Sequence, residues 1–157
     1  MEWKWTVEAI IALCALIVSI ISIYKSNKAS ETANKLNKDA NILTQGQVEI
    51  QIREMISAAK SRYIDVGCRF ANNDSDKSLL KPIVAAVEEE VCNAYDEACM
   101  KYLDNKVDIE RFKKNYFNEI KNLVEDENTR EKYIEPQTKF HATVEVYKKW
   151  NNLEQNK

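Results

Sequence analysis

Residues 5–24 read WTVEAIIALCALIVSIISIY, an apolar run in which Glu8 is the only charged residue. At about 1.5 Å per residue, a helix of this length reaches roughly 30 Å, the thickness of a bilayer's hydrocarbon core. The flanks suit a span: Trp3 and Trp5 lie at one end and Tyr24 at the other, where amphipathic rings prefer the interface, and Lys25 and Lys28 follow directly. A cleaved signal peptide is the competing reading. It calls for a positive leader, a shorter apolar core and a small-x-small cleavage site, whereas here the positive charge follows a full-length span. Residues 25–38 hold four lysines against one acid, Glu31. The excess of positive charge on cytoplasmic flanks therefore predicts a single-pass protein of the inner (cytoplasmic) membrane, N-terminus outside and residues 25–157 in the cytoplasm.

Beyond the anchor lie about 130 residues, enough for one compact domain. Only Gly46, Gly67, Pro82 and Pro136 punctuate the whole chain, too few for a fold of many strands and tight turns. An all-α protein is expected: a transmembrane anchor over 1–25, a juxtamembrane coiled-coil-like helix over 26–46, and a cytosolic helical domain over 47–157. Val48, Ile52, Met55, Ala59, Tyr63 and Val66 recur at three- and four-residue steps, predicting a helix that starts after a joint near Gly46 and ends near Gly67. A polar loop, NNDSDKS, follows over 72–78. The next helix, 79–103, has Pro82 in its first turn and Val84, Val87, Val91, Ala94, Ala98 and Tyr102 on one face. Asp108 caps a third helix with Ile109, Phe112, Tyr116, Ile120 and Leu123 inward. A turn or short helix around 128–134 precedes Pro136, and Thr138 caps a last helix carrying Phe140, Val144, Tyr147 and Trp150.

A stripe taken in alternate steps of four and three runs through the span and out of it: Glu8, Ala12, Ala15, Ser19, Ser22, Ser26, Ala29, Ala33, Leu36, Ala40 and Leu43. Within the membrane its members are small or hydroxylated apart from Glu8, as a close helix contact requires; beyond Lys28 they are Ala and Leu, as a coiled coil requires. Self-association into a homo-oligomer is predicted. The competing account is that the helix packs on its own domain. Glu8, about one turn inside the apolar run, either faces a partner or a polar path through the membrane, or reaches back to the interface.

Catalytic chemistry is not indicated. His141 is the single imidazole, and the chain has no GxSxG, Walker, HExxH or GxGxxG motif. The four cysteines include no CxxC pair; Cys92 and Cys99, seven residues apart on one helical face, read as buried free thiols, so neither a metal site nor a cofactor is expected. A net charge of −2 argues against bulk DNA or RNA binding. The last helix gathers Lys139, Phe140, His141, Tyr147, Lys148, Lys149 and Trp150, cations and aromatic faces able to hold phosphate and stack bases. Arg62 and Arg69 are further candidates. The candidate ligand set is Arg62, Lys139, His141 and Lys149, multiplied around the axis if the chain is a symmetric oligomer.

One short N-terminal span, a lysine-marked exit, a small-residue seam and a compact helical domain together resemble the single-span membrane effectors of prokaryotic antiviral defence, in particular the type III CRISPR accessory membrane proteins. The resemblance lies in layout, and no residue role is carried over from it. It implies binding of cyclic tetra-adenylate by the cytosolic domain of a tetramer, and a rearrangement that perturbs the bilayer. The alternative is a membrane-tethered helical adaptor that binds another protein and has neither ligand nor pore.

Overall fold

The structure is a computed structural model that describes residues 7–72 and 77–155. Trp3, Trp5 and most of the polar loop predicted over 72–78 lie outside the described residues. The elements are α1 (Val7–Asn72), α2 (Lys77–Leu103), α3 (Ile109–Glu125), a short 3-10 turn η1 (Arg130–Tyr133) and α4 (His141–Gln155). No strand occurs among the described residues. The chain divides into two units, Met1–Leu43 and Thr44–Lys157.

In the first unit α1 carries the apolar run, and nothing in its hydrophobic window is buried. By length and composition it is the one described helix able to cross a membrane. Two of its hydroxyls find partners within the helix: Ser19 Oγ donates to the Ala15 carbonyl at 2.9 Å and Thr32 Oγ1 to the Lys28 carbonyl at 2.9 Å. Local bonds of this kind let a hydroxyl sit in hydrocarbon without an unmet donor.

The second unit folds around an aromatic centre. Ile52, Ile56 and Ala59 of α1 meet Ala94, Tyr95, Ala98, Cys99 and Tyr102 of α2, Phe112 and Ile120 of α3, and Ala142, Val146 and Trp150 of α4. Trp150 is 1% exposed; its indole N–H donates to the Tyr102 hydroxyl at 3.0 Å, and its ring lies 5.4 Å from that of Tyr102 and 5.8 Å from that of Phe117. Most residues expected from periodicity to face inward pack here, but Tyr63 is 42% exposed, and Ile56 and Val146, outside the expected faces, are buried. Cys92 and Cys99 are buried free thiols, and burial raises both, Cys99 to about 12.

The predicted helix boundaries need correction in four places. α1 passes through both Gly46 and Gly67, so neither is a joint or an end. Neither glycine has a positive φ, and one glycine in a helix costs only about 1 kcal/mol, which helical neighbours on both sides offset. Pro82 lies inside α2, past its opening residues. Thr138 Oγ1 accepts from Phe140 N–H at 3.0 Å, ordering the turn before α4; the first turn of α4 is held instead from another helix, by Asp96 of α2, whose Oδ1 accepts from Thr143 N–H at 2.9 Å and from Thr143 Oγ1 at 3.0 Å.

The connection from α2 to α3 follows local rules. Lys106 N–H bonds the Lys101 carbonyl and Asn105 N–H the Tyr102 carbonyl, a Schellman ending in which Asn105 takes the left-handed position at φ 57°. Asp108 then caps α3 as expected, accepting from Arg111 N–H at 2.8 Å. Glu49 of α1 braces this corner by accepting from Asp108 N–H at 3.1 Å and pairing with Arg111 at 3.2 Å.

Candidate functional site

A depression of about 460 Å³ opens in the helical unit where α1, α2 and α3 meet the turn after α3. Lys60 comes from α1, Glu88 and Tyr95 from α2, Glu119 from α3, and Asp126, Asn128 and Thr129 from the turn. One network organises it. Glu119 accepts from Lys60 Nζ at 3.1 Å through one oxygen and from the Tyr95 hydroxyl through the other, and Lys60 lies 5.4 Å above the Tyr95 ring. Burial, then the hydrogen bond to Glu119, pushes the Tyr95 phenol far above its ordinary range, so it stays a donor at neutral pH and cannot serve as a base. The turn closes on itself, Asp126 Oδ1 taking the Asn128 backbone N–H at 2.9 Å and Thr129 Oγ1 donating to the Leu123 carbonyl at 2.6 Å. Glu88 pairs with Lys132 at 2.8 Å. The result is an acidic, hydrogen-bonded wall with one lysine against three carboxylates, Glu88, Glu119 and Asp126.

The sequence-predicted ligand residues are not gathered in that depression. Arg62 lines a separate one of about 300 Å³ with Glu90 and Glu97, and it pairs with Glu90. Lys139 lines another, with Glu89, Glu131 and Lys132, and pairs with Glu89, whose carboxyl that bond holds below its ordinary range. Lys149 lies 5.4 Å from the Tyr102 ring centre, and His141, the first residue of α4, is exposed. Lys148 pairs with Glu135 and Arg69 with Asp65 at 2.9 Å. Where these cations line a depression, carboxylates equal or outnumber them. Such walls favour hydrogen-bond donors and cations over a free phosphate.

Lys60, Tyr95 and Glu119 escaped the sequence reading because they come from three helices with no shared spacing. No group of three or more His, Cys, Asp or Glu able to hold a metal ion occurs among the described residues. Along the first unit, Glu8, Ala12, Ala15, Ser19, Ser22, Ser26, Ala29, Ala33, Leu36, Ala40 and Leu43 are all exposed on α1. No protein-family model matches the chain, and no curated protein or solved structure shows significant similarity to it.

Proposed function

We propose that this chain is a single-pass protein of the cytoplasmic membrane that tethers a non-enzymatic helical binding module at the cytoplasmic face. The observation that carries the reading is the exposed apolar window of α1 in a chain whose second unit buries a core of its own. The module's acidic, self-paired depressions support the adaptor role, docking another protein, over the gripping of an anionic messenger. Cys68 is a built-in reporter of the topology: it is exposed, while Cys92 and Cys99 are buried and protonated. In intact cells stripped of any outer membrane, a membrane-impermeant maleimide should leave Cys68 unlabelled until the membrane is opened, and the chain should stay with membranes through an alkaline carbonate wash. Labelling of Cys68 before opening reverses the orientation; release by carbonate removes the anchor.

The second reading is the sensor and effector of antiviral defence, an oligomer that binds cyclic oligoadenylate and perturbs the bilayer. It is favoured by His141, exposed and unpaired, and by Lys149, which faces an aromatic ring rather than an acid. A thermal-shift measurement on the detergent-solubilised full chain with cyclic tetra-adenylate separates the two, because a ligand of the native state raises the melting temperature. A rise that His141→Ala or Lys149→Ala abolishes makes the protein a sensor; an unchanged midpoint keeps the adaptor.

A further inference from the structure

Counted onward along the sequence, the four-and-three spacing of the Glu8–Leu43 stripe does not stop at Leu43. In the helical unit it reaches Ile50, Ser57, Ser61, Ile64, Cys68 and Ala71, every one exposed on α1. Ile50 is 55% and Ile64 63% exposed. On the same helix Ile52, Ile56 and Ala59, themselves spaced by four and three, are 3–4% exposed in the core. At about 100° per residue the stripe and the buried face lie on opposite sides of α1, so the helical unit leaves this side of its own helix uncovered. We infer that this outer face of α1 is a self-association surface, seated against the same face of a second copy of this chain in parallel orientation. The proposal rests on the membrane-tethered reading, which sets two copies side by side in one bilayer with the same orientation.

Three features select a second copy as the occupant. A stripe that repeats every 3.5 residues is self-complementary, since two identical helices supercoil so as to keep it between them. Charge is arranged to match. None of Lys25, Lys28, Glu31, Lys35, Lys38 and Asp39 falls on the stripe, and of the charged residues on α1 beyond Leu43 only Glu54 does. In a parallel pair Glu54 meets its own equivalent and has Arg53 of the second copy, one place earlier on the other helix, beside it to offset the like charge. Gln47 is the one other large polar member, and in this geometry it meets its own equivalent.

The glycines supply the third feature. Gly46 and Gly67 are the only two in the chain, each immediately precedes a stripe position, and both lie within a helix they weaken by about 1 kcal/mol relative to alanine. A Cβ on either would meet nothing within 4 Å, and neither has a positive φ, so the fold of one copy does not require them. A second helix approaching along the stripe does, because glycine lets backbones come close.

The test uses full-length protein in native membranes, oxidised briefly with copper phenanthroline and resolved without reductant. The expected product is a covalent dimer that Cys68→Ser abolishes and Cys14→Ser does not. In the Cys68→Ser background, Ser61→Cys should restore the crosslink and Arg69→Cys, about 100° round the helix, should not. Ile64→Glu should reduce crosslinking about tenfold or more, since like charges meeting across an interface oppose association. Because Ile64 is exposed in a single copy, that variant should keep the melting temperature of the helical unit. Absence of a Cys68 dimer, a crosslink from Arg69→Cys equal to that from Ser61→Cys, or Cys68 crosslinked only to a different protein overturns the proposal. Retention in the carbonate-washed membrane is scored separately, so loss of the dimer and loss of the anchor are distinguishable.

Discussion

Among the described residues, fourteen of the twenty large exposed apolar side chains lie between Val7 and Leu43, yet the buried core begins only at Ile52. The two units are opposite in what they do with their apolar residues. From Thr44 onward apolar residues meet one another across four helices, whereas in the hydrophobic window of α1 none is buried. Hydrophobic surface left uncovered needs an environment to cover it, and patterns differ in the environment they suit. A helix apolar on nearly all sides over residues 9–24 suits lipid, whereas the narrow stripe beyond Lys28, rimmed by charges, suits another helix in water. The second unit explains itself; the first is intelligible only through its surroundings.

The contrast is broken most strongly by removing the largest apolar group from each region. Trp150→Ala deletes a 1%-exposed indole, its hydrogen bond to Tyr102 and its contacts with Phe112 and Phe117. It should destabilise the helical unit by about 3–5 kcal/mol, read from chemical denaturation of the detergent-solubilised chain, while leaving the protein in the membrane fraction. Leu16→Arg is the mirror experiment. Leu16 is 58% exposed and takes no part in the buried core, so the denaturation midpoint should not move. Insertion, however, should become less favourable by about 2.5–3.5 kcal/mol, seen as a loss of protein from carbonate-washed membranes. A fall in the midpoint with Leu16→Arg, or intact stability with Trp150→Ala, would erase the distinction between the two units.

A finer probe asks whether the helical unit is held by long-range polar contacts as well as by its core. Asp96 reaches from α2 to the first turn of α4, where Thr143 is fully buried. Asp96→Ala strands the Thr143 N–H and hydroxyl and should cost about 1–2 kcal/mol, whereas Asp96→Asn, which keeps an acceptor oxygen, should cost less. Equal losses from the two variants would mean that the charge at the helix N-terminus, rather than the hydrogen bond, stabilises α4.

The same contrast explains what could be read from residues alone. Periodicity identified the inward faces of α2, α3 and α4, and the Asp108 cap, because a local pattern and a local hydrogen bond each leave a mark in consecutive residues. The glycines misled: an expected joint at Gly46 and an end at Gly67 gave way to one helix, since a penalty near 1 kcal/mol is small beside the bonds on either side. Asn105 at the end of α2 and Asp96 at the start of α4 were invisible for different reasons. Asn105 stands where glycine is the usual signal, and Asp96 is 47 residues from the group it caps. The acidic depression is of the second kind, with Lys60, Tyr95 and Glu119 assembled only by helix packing. Arg62 and Lys139 were legible as cations, but the carboxylates that pair with them lie on another element.

The smallest expected effect tests a corner where local and tertiary contacts coincide. The hydrogen bond from Arg111 N–H, joined by the nearby guanidinium, holds the Asp108 carboxyl below its ordinary value. A carboxyl depressed in the folded state adds stability that is present above its unfolded pKa, near 3.9, and is lost as pH falls through the lower folded value. Acid denaturation of the intact protein should therefore include a contribution from Asp108 confined to pH below about 4. In Asp108→Asn, which keeps a capping oxygen but no titrating group, that part of the acid limb should flatten while stability at neutral pH changes little. An unchanged acid limb would mean that Glu49, which holds the same corner through Asp108 N–H and Arg111, fixes the start of α3 whatever the charge on the cap. The corner would then belong to the packing of α1 against α3 rather than to the helix that Asp108 begins.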